Sequence, residues 1–180
     1  MNDFRRISSS GKVMKLESLP TKKNSFPMTY WQKEDTIITV GGWDGSSGLK
    51  EVQQFVIGKN EWKALPSLPE EISDSSATVL KNVLYNFGGS GSTNSVCWLD
   101  LLKPKWNSVK TLGFIDFSGH RLRDATVVKN KIVYFGSWRD KATYALKQKK
   151  SQPGNLELKS RFEEIDYIRG NPFNSSFCTY

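Results

Sequence analysis

The amino-acid sequence predicts an all-β fold in which small antiparallel sheets of about four strands are stacked side by side. Three observations lead there: a segment that recurs at near-constant spacing, short apolar runs that end in glycine, and an aromatic-to-tryptophan interval that repeats behind them. Residues 76–89 match residues 124–137 at Ala77/Ala125, Thr78/Thr126, Lys81/Lys129, Asn82/Asn130, Phe87/Phe135 and Gly88/Gly136, an offset of 48 residues. An earlier copy at 36–42 places Gly41 47 residues before Gly88. Periods of this length in series are the signature of a repeated supersecondary unit.

The runs at 36–40, 83–87 and 132–135 are short, rich in β-branched and aromatic residues, and bounded by turn formers, so they read as strands. Apolar residues on successive positions require cover on both faces of such a strand, as when one small sheet is stacked against another. In the middle copy, apolar patches near 76–80, 83–87, 95–101 and 105–110 supply four strands. The glycine pairs Gly41-Gly42 and Gly88-Gly89 close the second strand, where positive φ or close backbone approach excludes a Cβ. Phe55 stands seven residues before Trp62, and Leu99 seven before Trp106. Each Trp is followed by a matching tail, Leu65, Leu68 and Pro69 in one copy and Val109, Leu112 and Gly113 in the next. Val13, Leu16, Leu19 and Pro20 repeat that tail near the N-terminus. A tryptophan on the outer strand supplies a large apolar surface for the wedge between neighbouring sheets.

These residues resemble the kelch repeat: an apolar strand ending in Gly-Gly, then an aromatic residue and a Trp seven positions on. The segment from Gly41 to Gly45 is similar to the family's glycine-aromatic-aspartate-glycine turn, and the resemblance covers roughly residues 13–160. The third copy departs from the pattern, because Ser137 replaces the second Gly and Ser151 stands where Trp is expected after Tyr144; Leu156-Glu157-Leu158 still alternates as an outer strand would. The resemblance implies a kelch-type β-propeller of about three four-stranded antiparallel blades in an open or incomplete ring. The expected division is an outer strand of a preceding blade at 1–20, blades at 21–69 and 70–113, a degenerate blade at 114–160, and the start of a further blade at 161–180. Propellers close with four to eight blades. Three blades therefore suggest a piece of a longer protein or a truncated product, with self-association through the open blade faces as the alternative, since bare faces and strand edges invite aggregation.

Composition sets the class. The chain has 180 residues with 37% hydrophobic content and a mean hydropathy of −0.50, ordinary for a globular domain. Its longest apolar runs are too short to span a bilayer, and Met1 to Arg6 lead into Ser8-Ser9-Ser10 with no signal-peptide core. No membrane association and a cytoplasmic location are expected. Cys97 and Cys178 lack disulfide or zinc-ligand spacing. The formal charge of +8 raises nucleic-acid binding, but the lysines are scattered and the densest run, Lys147 to Lys150, precedes a turn at Ser151 to Gly154.

Catalytic signals are weak. His120, the one histidine, has Asp116, Ser118 and Asp124 nearby but no nucleophile-elbow context. The glycine-rich stretches lack phosphate-loop order, and Gly11-Lys12 is followed by Val13 in place of Ser or Thr. Glu70-Glu71 and Glu163-Glu164 read as solvated pairs. No catalytic, metal or cofactor site is assigned, and the expected function is a non-catalytic scaffold that presents loops to a protein partner, with the charge favouring an acidic one. The resemblance implies that the loop after the glycine pair and the segment leading into the first strand form the contact face. Those positions hold Trp43, Asp44, Ser75, Ser76, Arg121, Arg123, Trp138 and Arg139. The alternatives are a piece of a kelch-type oxidase or sugar isomerase, which needs a metal or acid/base cluster, and a nucleic-acid-binding protein.

Overall fold

The computed structural model describes residues 3–94, 96–109, 122–137, 143–148 and 156–162. Among them every regular element is a β-strand except one 3₁₀ turn at Ile57–Lys59. A hairpin of β1 (Phe4–Ile7) and β2 (Val13–Leu16) precedes three four-stranded antiparallel sheets. The first contains β3 (Met28–Trp31), β4 (Thr36–Val40), β5 (Val52–Val56) and β6 (Glu61–Leu65). The second contains β7 (Ser76–Leu80), β8 (Val83–Phe87), β9 (Val96–Asp100) and β10 (Trp106–Val109). The third contains β11 (Leu122–Val128), β12 (Lys131–Ser137), β13 (Thr143–Gln148) and β14 (Leu156–Phe162). Each sheet pairs its strands in chain order. The first strand of the second sheet, β7, lies against both β3 and β11, so the first strands of successive sheets stand side by side. This is the architecture of a partial kelch-type propeller, and the described sheets do not close into a ring.

Strand alternation explains the stacking. Along β8, Val83, Tyr85 and Phe87 point into the core shared with the third sheet, where Ala125, Ile132, Tyr134 and Leu146 meet them. Leu84 points the other way, into the core shared with Ile38, Val40, Val52 and Ile72 of the first sheet and its exit segment. A side-chain period of two sends alternate residues to opposite faces, so the adjacent apolar residues Val83, Leu84 and Tyr85 suit a sheet covered on both sides.

The glycine pairs are sites of close approach. Gly42 has φ +119 and Gly89 φ +104. A Cβ at Gly89 would fall 2.4 Å from Ile72 Cγ2, 2.8 Å from the Ser73 carbonyl and 2.9 Å from Ser75 Cβ. At Gly42 the neighbours are Asn24 O, Phe26 Cβ and Lys23 Cδ, at 2.9, 3.0 and 3.3 Å. The two sets correspond residue for residue, so Lys23, Asn24 and Phe26 occupy the places of Ile72, Ser73 and Ser75.

In the third sheet, where Ser137 breaks the glycine pair, the strand runs on. β11 and β12 have seven residues each against five in β7 and β8, and Leu122 pairs with Ser137. β14 opens at Leu156, on the alternating segment that the sequence marks for an outer strand.

The outer-strand tryptophans join neighbouring units. Trp62 Nε1 donates to the Glu17 carbonyl at 3.0 Å, and Trp106 Nε1 donates to the Pro66 carbonyl at 2.7 Å. Glu17 follows Val13 by four residues, as Pro66 follows Trp62, so the two bonds are equivalent. Phe4 of the hairpin packs against β5 and β6 of the first sheet, 4.9 Å from the Phe55 ring centroid and 5.4 Å from that of Trp62.

Candidate functional site

Connections between strands lie at two ends of the sheets, and the loops after the glycine pairs share one end with the segments that lead into the first strands. Two bridges show how they meet. The Asn24 amide donates to the Trp43 carbonyl at 2.9 Å, and the Trp43 amide returns a bond to the Asn24 carbonyl at 2.8 Å. One repeat later, Ser73 and Ser90 exchange the same pair of bonds at 3.2 and 2.7 Å.

Trp43 is held at the base of a rigid loop. Asp44 Oδ1 accepts from the amides of Ser46 at 2.7 Å and Ser47 at 2.9 Å, and from Ser46 Oγ at 2.8 Å. These bonds hold the Asp44 carboxyl below the usual carboxylate range, the Ser47 amide contributing most. The Asp44 side chain thus caps its own turn. Trp43 itself keeps 38% of its surface in solvent, on a backbone fixed from both sides.

Other expected contact residues sit differently. Ser75 and Ser76 are buried, and among the described residues neither hydroxyl has a hydrogen-bond partner. Arg121, Trp138 and Arg139, together with the side chain of Arg123, lie outside the described residues, as does His120.

The second loop of this end is pinned by Glu70, whose carboxylate accepts from the Thr93 amide at 2.8 Å, from Thr93 Oγ1, and from Asn94 Nδ2 at 2.8 Å. Cys97 lies beneath it. Burial, with the Glu70 charge adding to it, pushes the thiol up to about 12, so it stays protonated and unreactive at neutral pH.

Lys23 is the residue of this end that sequence reasoning missed. It is only 8% exposed, its Nζ donates to Thr39 Oγ1 at 3.3 Å and sits 5.2 Å from the Phe26 ring centroid. Burial lowers the ammonium's pKa, and the nearby Glu51 carboxylate partly offsets this. The signal was available: Leu19-Pro20 precedes Lys23 at the spacing by which Leu68-Pro69 precedes Ile72. Among the described residues, no group of three or more His, Cys, Asp or Glu side chains could hold a metal ion. No helix among them is long and apolar enough to cross a membrane.

Comparison with known proteins agrees with the repeat. Residues 34–69 match the family model described as the Kelch motif. The chain is 25% identical over 135 residues to Kelch repeat and BTB domain-containing protein 2 of Cowpox virus (strain GRI-90 / Grishak), an alignment covering 75% of this chain and 21% of the viral protein. The same protein of Horsepox virus matches at 25% over 135 residues, covering 75% and 22%. Kelch-like protein 35 of Mus musculus is 31% identical over 75 residues, covering 39% of this chain and 13% of the mouse protein. The chain therefore spans about a fifth of the length of the poxvirus proteins it matches.

Proposed function

This chain is a kelch-repeat protein, and from that premise we propose that it works as a non-catalytic interaction module whose stacked sheets hold loops rigidly for a protein partner. The observation that supports this reading is Trp43, a half-open indole on a loop locked by the Asn24 bridge and the Asp44 cap. Binding energy at interfaces concentrates in a few anchors of this kind, and a preorganised loop loses little entropy on docking. Asp44 contributes by keeping the loop's shape. Ser75 contributes from beneath, as a small buried residue that lets the Gly89 backbone approach, and Ser76 contributes as a buried residue at the start of β7. The relatives are named for kelch repeats and, in the viral proteins, for a BTB domain; the role of an adaptor within a larger assembly is part of the proposal.

The test is affinity capture with the purified chain as bait, comparing wild type with Trp43→Ala. The expected result is a loss of at least about tenfold in the proteins captured by wild type, as for an interface anchor, with an unchanged thermal melt. An identical captured set would remove Trp43 from the contact face.

A further inference from the structure

Charge divides between the two ends of the sheets. The described turns at one end of the four-stranded sheets, residues 32–35, 57–60, 81–82, 101–105 and 129–130, hold Lys33, Lys59, Lys81, Lys103, Lys105 and Lys129 against two carboxylates, Glu34 and Asp35. The opposite connections, residues 17–27, 41–51, 66–75 and 88–94, hold three lysines against six carboxylates. Among the described residues, the turn end is net positive, and the end that carries Trp43 is net negative.

Three of these lysines are set by the repeat. Lys33, Lys81 and Lys129 follow one another at 48 residues, and each lies in the turn between the first two strands of its sheet. All three are exposed. Because β7 lies against both β3 and β11, the fold brings these turns to neighbouring positions. A cleft of about 470 Å³ opens there, lined by Tyr30, Gln32, Lys33, Lys81, Asn82 and Val127 among others. Tyr30 is 51% exposed, and its hydroxyl donates to Asp35 Oδ1 at 2.8 Å. That bond holds the ring in place as an apolar wall of the cleft.

We propose that this cleft docks an acidic peptide segment of a protein partner. Its carboxylates would face Lys33 and Lys81 in the cleft and Lys129 in the adjoining β11–β12 turn, and an apolar side chain would lie against Tyr30 and Val127. The inference rests on the interaction-module reading and places acid recognition at the end opposite Trp43. Complementary charge steers the encounter and fixes the register of docking. A peptide suits the cleft better than a nucleic acid does, because Tyr30 and Val127 offer an apolar wall to a side chain, and these turns contain no arginine for bidentate phosphate pairing.

Fluorescence anisotropy of a labelled peptide of Glu and Asp around a central Leu, titrated with the whole chain at low and physiological salt, tests the proposal. Binding is expected, weakening as salt rises. The variant Lys33→Gln/Lys81→Asn/Lys129→Asn should weaken it at least about tenfold. Lys81 and Lys129 have φ +59 and +46, where Asn is tolerated better than Lys, so this variant should melt no lower than wild type. The charge-matched control Lys15→Gln/Lys22→Gln/Lys50→Gln should bind within about twofold of wild type. Equal weakening by the control, no peptide binding at low salt, or tighter binding of a single-stranded oligonucleotide of equal charge would each overturn the proposal. Such a failure with the Trp43 capture result intact leaves the module reading standing.

Discussion

Lys23 occupies the place that the repeat gives to Ile72, which is completely buried. The lysine's stem fills that apolar position, while its ammonium has Thr39 Oγ1 and the Phe26 ring for company and Glu51 at longer range. Burying a charge without a close counter-charge costs free energy. The lowered pKa expresses that cost: the folded chain holds the Lys23 proton less tightly than the unfolded chain does. In the interval below the ordinary lysine value of 10.5, the unfolded state therefore binds more protons, and this group's contribution makes stability rise with pH. Lys23→Ile should stabilise the chain at pH 7 by about 1 kcal/mol, the scale of added apolar burial, or roughly 2–4 °C in Tm. The advantage should shrink as the pH approaches 10.5. Urea denaturation of both proteins at pH 7 and pH 10 checks this; a variant less stable at pH 7, or an advantage that grows with pH, would contradict the argument.

At the scale of the element, the glycine pair decides where each second strand stops. Gly89 places its backbone on Ile72, Ser73 and Ser75 at distances no Cβ can share, and its φ of +104 is strained for any L side chain. Gly89→Ala should cost about 2 kcal/mol or more, whereas Gly58→Ala, with open space around it and no positive φ, should change stability by less than about 0.5 kcal/mol. Thermal melts of the two variants provide the comparison, and equal effects would show that close approach is not what the pair secures. The same element shows how much was legible. Period and composition placed β4, β8 and β12 and the double-sided cover of β8, because burial on both faces leaves apolar residues on adjacent positions, and the alternation of Leu156-Glu157-Leu158 placed the outer strand there. The strand Phe4–Ile7 was not singled out, because Phe4-Arg5-Arg6-Ile7 is polar at its centre and gains its place by pairing with β2 and setting Phe4 on Phe55 and Trp62. Among the candidate contact residues, Trp43 was legible as a loop aromatic. The burial of Ser75 and Ser76 was not, because it depends on Gly89 closing onto Ser75 and on Ser76 pairing with Phe87 in β8.

At the scale of the whole molecule, stability follows the logic of a stacked array, in which each unit touches only its neighbours and each interface contributes its own increment. The indole bonds are a directional part of that increment. Trp106 ties the second sheet to Pro66, at the exit of the first, and Trp62 ties the first sheet to Glu17, at the exit of the hairpin. Phenylalanine keeps most of the ring and removes the donor. Trp106→Phe should therefore destabilise by about 0.5–1.5 kcal/mol, the net worth of one hydrogen bond, and Trp62→Phe by a similar amount. Because the two bonds span different interfaces and share no partner, the double variant should equal the sum of the singles to within about 0.5 kcal/mol. Urea denaturation of the four proteins measures all of these terms. Additive losses would support independent interfaces. A double variant much worse than the sum would mean that the hairpin and the second sheet are coupled through the first, so that the three sheets unfold as one body and not as an array.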